Sequence, residues 1–176
     1  MTFTHNLITL PELEQVNSSS GRYYVTPEGE HYSSVTTILG TMLDKGFLDD
    51  WIARVGEREA ERIKNQAATR GTEIHGLCEN YVLNREVNTK KLMPLQKMLF
   101  NQIKRVLDEN LEVVMGSEVR LFSNKLKAAG SCDLIGQWNG RRAVIDFKTS
   151  RNFKGEDDIL GYFLRAFNLK PFWELV

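Results

Sequence analysis

The spacing of apolar residues changes once along this chain. From Phe47 to Asp108 they recur every third or fourth position, the period that turns one face of an α-helix inward. From Leu111 to Lys148 the runs are shorter, β-branched and nearer to alternation, the period of a strand. Helices are therefore predicted over 47–55, on Leu48, Trp51, Ile52 and Val55, and over 57–83, on Ile63, Ala67, Ile74, Cys78 and Tyr81. A third is predicted over 94–108, with Leu95, Met98, Leu99, Ile103, Val106 and Leu107 inward. Strands are predicted near 111–122, 130–138 and 142–148. Ahead of all these, residues 1–21 read as a loose arm and 22–32 as a small hairpin around Pro27-Glu28-Gly29. Ser33 or Ser34 reads as the cap of a short helix closed by Gly40. The order implies an α/β fold, a mixed central sheet flanked by helices behind a helical N-terminal part. A last helix is expected over 156–167, with at most one short strand after it.

The segment Gly130–Ser150 carries the chemistry. Asn139-Gly140 lies between two apolar runs and suits a two-residue type I′ turn, whose positive φ angles favour that pair. Counting outward from Trp138 opposite Arg141 sets Gly136 on Ala143, Ile135 on Val144, Leu134 on Ile145 and Asp133 on Asp146. Facing carboxylates repel, so something must offset them. Hard oxygen donors at that spacing suit Mg²⁺ or Mn²⁺. Lys148, two residues beyond Asp146 and on the same face, is placed to orient a water or to steady charge on a phosphate. The plain alternative is a surface hairpin with solvated charges. The apolar flanks Leu134, Ile135, Val144, Ile145 and Phe147 read instead as central strands, where a charge is costly unless it has a task.

Composition narrows the class without changing it. A chain of 176 residues with 41% hydrophobic and 26% charged positions fits one domain with a real core, and no apolar run is long enough to span a bilayer. The start carries no secretory or organelle-targeting pattern, so an intracellular, cytoplasmic site is expected. Cys78 and Cys132 are too few for a disulfide framework and are expected reduced and buried. Net charge is zero, yet Val119–Val176 holds 10 Lys/Arg against 6 Asp/Glu. That excess gives the hairpin half a cationic surface on which a polyanion such as DNA can dock, with Lys125, Lys127, Ser150 and Arg151 as candidate phosphate contacts.

Asp133 with the run Asp146-Phe147-Lys148 resembles the signature of the PD-(D/E)XK nuclease superfamily. The RecB-like exonuclease branch, which includes phage and mitochondrial exonucleases, looks nearest. Its helical histidine after Gly-Thr is matched by Arg70–His75, and its early Ser-Val-Thr-Thr-Ile-Leu segment by Ser33–Leu39. The resemblance spans residues 32–150. It implies a restriction-endonuclease-like core over 57–176, with 1–56 as arm, hairpin and helical cap. It also implies His75 as a third metal ligand beside Asp133 and Asp146, aided by the backbone carbonyl of Phe147. The branch often carries an acid on the strand before the hairpin, where this chain has Glu118. Arg165 stands where the branch usually has a glutamine, offers a further phosphate contact, and is followed by less sheet than the branch expects.

The expected activity is metal-dependent exonucleolytic hydrolysis of DNA, in a repair or recombination setting. Rival expectations are a catalytically weakened DNA-binding module, a sequence-specific endonuclease, and a structural domain with no nucleic-acid role.

Overall fold

Turn residues and capping side chains set most of the boundaries. The computed structural model describes residues 2–42 and 46–148. In chain order the elements are β1 (Thr4–His5), β2 (Glu14–Ser18), β3 (Gly21–Val25), β4 (His31–Ser34), α1 (Val35–Met42), α2 (Gly46–Val55) and α3 (Glu57–Val82). There follow a 3₁₀ turn (Thr89–Lys91), α4 (Pro94–Asn110), β5 (Leu111–Ser123), β6 (Ala128–Trp138) and β7 (Arg141–Ile145). The architecture is α/β with a mixed sheet, as the change of period implies. The expected helix over 156–167 and the strand after it lie outside the described residues.

The described chain forms two compact units, and the division runs through α3, β5 and β6. The first takes 2–9, 69–119 and 132–148. Its strand order is β1, β5, β6, β7, with β1 parallel to β5 and β7 antiparallel to β6. The C-terminal half of α3 and the inner face of α4 cover this sheet through a core of Ile74, Cys78, Val82, Leu99, Ile103, Leu107, Val114, Leu134, Ile145 and Phe147. Pro94 opens α4, where its missing N–H costs nothing. Leu99, Ile103 and Leu107 of that helix are buried as the period implies and Phe100 is buried with them, but Leu95 and Met98 are 52% and 43% exposed. The apolar arc of α4 is wider than the surface that covers it.

The second unit takes 10–42, 46–68 and 120–131. Here β2, β3 and β4 form an antiparallel meander, and β4 runs parallel to β6 over Ser33–Ala128 and Ser34–Ala129. Its core is Leu13, Tyr24, Tyr32 and Ala129, with Phe122 against them. The Ser34 hydroxyl accepts the Thr37 N–H at 3.0 Å and so caps α1, which continues through Gly40 to Met42 instead of closing there.

Residues 2–21 are more ordered than the loose arm expected over 1–21. Val16 pairs with Tyr23, while Asn6 and Ile8 donate backbone N–H groups to Val114 and Met115 at 2.9 Å. Asn84 clamps Phe3 from both sides, accepting its N–H and donating to its carbonyl, each at 2.9 Å.

Candidate metal centre

The β6–β7 hairpin follows its turn. Asn139 and Gly140 have φ of 48° and 77°, as a type I′ turn requires, and the pairs run Trp138–Arg141, Gln137–Arg142, Gly136–Ala143, Ile135–Val144 and Leu134–Ile145. The tip is tied down as well. Asn139 donates its N–H to the Asn110 carbonyl at 3.0 Å, and Gly140 donates to the Glu112 carboxylate at 2.9 Å. Gly136 is required by close approach, because a Cβ there would stand 2.7 Å from the Val113 carbonyl oxygen.

The expected rung between Asp133 and Asp146 is not formed. The ladder ends at Leu134–Ile145, and β7 ends with it. Beyond that point Asp146 is unpaired and only a single bridge at Phe147 follows, with the Asp133 side chain joining in, its Oδ2 accepting the Phe147 N–H at 2.6 Å. The carboxylate thus closes the sheet with a charge-assisted bond instead of facing a second acid.

The other Asp133 oxygen, Oδ1, lies 3.4 Å from His75 Nδ1 on α3, and both side chains are largely buried, at 14% and 29% exposure. Ile74, Cys78 and Val82 anchor this stretch of α3 in the core, which fixes the rotation of the helix and the direction of His75. Its ring meets Phe147 edge-on, with centroids 6.0 Å apart. The Asp133 hydrogen bond lifts the His75 pKa above its ordinary value despite burial. Burial pushes the Asp133 carboxyl the other way, but the imidazole, the Phe147 N–H and the charge of Lys148 outweigh it and hold that pKa low. Each partner stabilises the charged form of the other.

Glu118 joins them from β5. Val114, Met115 and Gly116 are buried in succession, so the alternation of the strand breaks there, and Glu118 itself sits at φ 52°, a left-handed backbone that a glutamate rarely adopts. Next to it, the Ser117 hydroxyl donates to the Asp133 carbonyl at 3.3 Å. Ligating atoms of His75, Glu118 and Asp133 all lie within 4.8 Å of one another. Two donors each ~2.1 Å from a shared ion stand at most about 4.2 Å apart, so a shift of less than an ångström brings all three onto one cation. Glu118 is exposed, and partial desolvation with the negative charges of Asp133 and Glu79 shifts its carboxyl above the ordinary pKa, a pressure that a cation relieves.

An open cleft of about 450 Å³ adjoins the trio, lined by Gly71, Thr72, His75, Gly76, Glu79 and Glu118. Gly71 therefore lies beside the space next to His75, as its position four residues earlier on α3 implies. Glu79 pairs with Arg85 at 3.3 Å rather than with the imidazole.

Asp146 stands outside the trio. Its carboxylate holds the Lys148 ammonium at 2.8–2.9 Å, so acid and amine are together as expected, in the form of an ion pair. The backbone of Phe147 acts on both His75 and Asp133. Burial, followed by the nearby acids Asp133, Glu118 and Asp146, pushes the Cys132 thiol up to about 12, and burial pushes Cys78 up as well. Both remain thiols at neutral pH, though Cys132 is only half-buried.

The remaining candidates are elsewhere. Lys125 and Lys127 lie in the 124–127 turn of the second unit. Lys125 is exposed; Lys127 donates to Glu30 at 2.6 Å and to the Tyr32 hydroxyl at 3.1 Å, and lies over the Tyr32 ring. Ser150, Arg151 and Arg165 fall outside the described residues. Thr72 of the cleft belongs to the Gly-Thr pair of the Arg70–His75 motif, whereas Gly76 carries no sequence signal that separates it from an ordinary helix position. Among the described residues no helix is long and apolar enough to cross a membrane. Comparison with models of known protein families and with curated proteins finds no match to this chain.

Proposed function

We propose that the chain is a metal-dependent DNA exonuclease of the PD-(D/E)XK type, built on a restriction-endonuclease-like core and hydrolysing phosphodiester bonds from an accessible end. The observation that carries this reading is the convergence of His75, Glu118 and Asp133 within 4.8 Å, with the paired Asp146 and Lys148 one and three residues past the end of the same hairpin ladder. One imidazole and two carboxylates fit Mn²⁺ or Mg²⁺, and the nitrogen donor favours Mn²⁺ somewhat. Such an ion supplies Lewis-acid polarisation of the phosphoryl oxygens and a more acidic water.

The residues of the chain do the rest. His75, Glu118 and Asp133 hold the cation, with Asp146 and the Phe147 carbonyl as further donors. Lys148 orients the attacking water and steadies the charge that builds on the phosphate as the ester bond breaks. Asp146 fixes where that amine points. The Asp133 bond to the Phe147 N–H keeps the trio and the Asp-Phe-Lys run in register.

One observation favours a second reading. Asp146 and Lys148 neutralise each other, which suits a weakened nuclease that binds DNA without cutting it. The test is cleavage of 5′- and 3′-labelled oligonucleotides and of a covalently closed circle in Mn²⁺, beside Asp146→Asn and Lys148→Ala. Shortening of the linear DNA with the circle intact is expected, and each substitution should lower the rate by about a hundredfold or more. Binding without cleavage would point to the module, a nicked circle to an endonuclease, and activity that survives both substitutions would end the proposal.

A further inference from the structure

The start of α4 presents apolar and cationic side chains together. Met93 is 67% exposed, Leu95 52% and Met98 43%, and Thr89–Met98 contains three lysines and no acid. Among the described residues, the ammonium groups of Lys90, Lys91 and Lys97 enter no ion pair or hydrogen bond. This differs from scattered surface leucines, because the apolar groups cannot turn inward. The opposite face of α4 is already committed through Leu99, Phe100, Ile103 and Leu107.

The segment is also tied by hydrogen bonds. Asn88 accepts the Lys90 N–H at 3.1 Å and caps the 3₁₀ turn, while Gln96 accepts the Met93 N–H at 2.8 Å and donates to Glu73 of α3. Side chains carried on a preorganised backbone lose little entropy when a partner covers them. Two thioethers and a leucine form a surface that adapts to varied apolar groups, and methionine is favoured at such surfaces.

We infer that this edge of α4 docks an acidic peptide segment of a partner protein, one whose carboxylates meet Lys90, Lys91 and Lys97 and whose apolar side chains cover Met93, Leu95 and Met98. Charge selects this occupant over the others. A second copy of the chain would bring the same lysines face to face across a two-fold axis. Nucleic acid would supply anions, but the patch has no aromatic platform for a base, and its apolar groups would lie against hydrated phosphates. A membrane-surface helix needs an apolar stripe along its length, and here the large exposed apolar positions end at Met98, the fifth of the 17 residues of α4. The inference is independent of the nuclease reading.

The test is fluorescence anisotropy of a labelled peptide, Asp-Glu-Asp-Leu-Glu-Asp-Leu-Phe, titrated with the full chain at low salt. A control peptide has lysine at every acidic position. Saturable binding of the acidic peptide alone is expected. Leu95→Asp with Met98→Asp should weaken it about tenfold or more, as should Lys90→Glu with Lys91→Glu. All four positions are exposed, and thermal unfolding of each variant reports its folding.

Equal binding of both peptides, or unchanged affinity in both double variants, would overturn the inference. So would displacement of the peptide by a duplex oligonucleotide or by phosphatidylserine vesicles in a manner that Leu95→Asp abolishes. A dimer in sedimentation velocity that Leu95→Asp dissociates would overturn it too.

Discussion

Two charged clusters in this protein look alike and are not. In the second unit, Glu30, Tyr32 and Lys127 form a closed knot in which the one carboxylate accepts from an ammonium and a phenol, and the Tyr32 oxygen lies 2.7 Å from the Asn124 side chain. Opposite charges are matched there, and the Glu30 pKa falls, first because of its hydrogen bond with Lys127. In the first unit, two carboxylates share one imidazole, and Glu118 is held above its ordinary pKa on a left-handed backbone. The knot is complete as it stands. The trio carries one carboxylate more than its imidazole can match and a left-handed backbone at Glu118, which is the imbalance the proposed cation would correct.

The comparison breaks most sharply at His75. His75→Ala should abolish measurable Mn²⁺ binding by calorimetry and lower oligonucleotide cleavage by about a thousandfold or more. Unchanged Mn²⁺ affinity would make the trio as self-sufficient as the knot. Next in size is Glu118→Gly. Glycine relieves the left-handed backbone and removes the uncompensated carboxylate, so the metal-free variant should be more stable than the parent by about 1 kcal/mol in urea unfolding. In saturating Mn²⁺ the order should reverse, because only the parent gains binding energy. A variant less stable than the parent without metal would show that Glu118 is not strained in any way that matters.

The pH profile sharpens the contrast. The His75 pKa is raised by folding, so its contribution is complete below the unfolded value near 6.5 and is lost as pH rises through the folded one. The Asp133 pKa is lowered, so its contribution is complete above about 3.9 and is lost as pH falls through the folded value. Metal-free stability should therefore be greatest between about pH 4 and 6.5 and decline on both sides. His75→Ala should remove the alkaline decline in thermal unfolding followed across pH. The smallest effect is expected at the knot. Lys127→Met, at an exposed pair, should barely move the melting temperature and leave Mn²⁺ affinity untouched, since exposed ion pairs contribute little.

Local chemistry made some of this legible in the sequence and long-range geometry hid the rest. The Asn139-Gly140 turn fixed the hairpin register from Trp138–Arg141 to Leu134–Ile145, because a two-residue loop leaves one choice. The apolar stripe of α3 aimed His75, because Ile74 and Cys78 flank it in the core. The count failed at Asp133, where a side chain outcompetes the backbone for the Phe147 N–H, an exchange that no pairing rule anticipates. Glu118 was visible as an interior charge, but its left-handed backbone was not, since the break in β5 comes from packing of the strand rather than from a glycine at that position. Periodicity likewise reported the apolar arc of α4 without reporting how much of it a neighbour covers. The N-terminal strands went unseen for a related reason: Thr4–His5 is too short to show a period, and β2 reads EQVNS.

The tied tip of the hairpin has a practical side. Exposed turns are where tags and fluorescent reporters are usually grafted, and residues 139–140 look inviting because both are open to solvent. Here the N–H groups of Asn139 and Gly140 and the Asn139 amide are all committed to Asn110 and Glu112. A graft at that turn would unfasten the end of α4 from the strands that aim Asp133, so labels belong on some other loop.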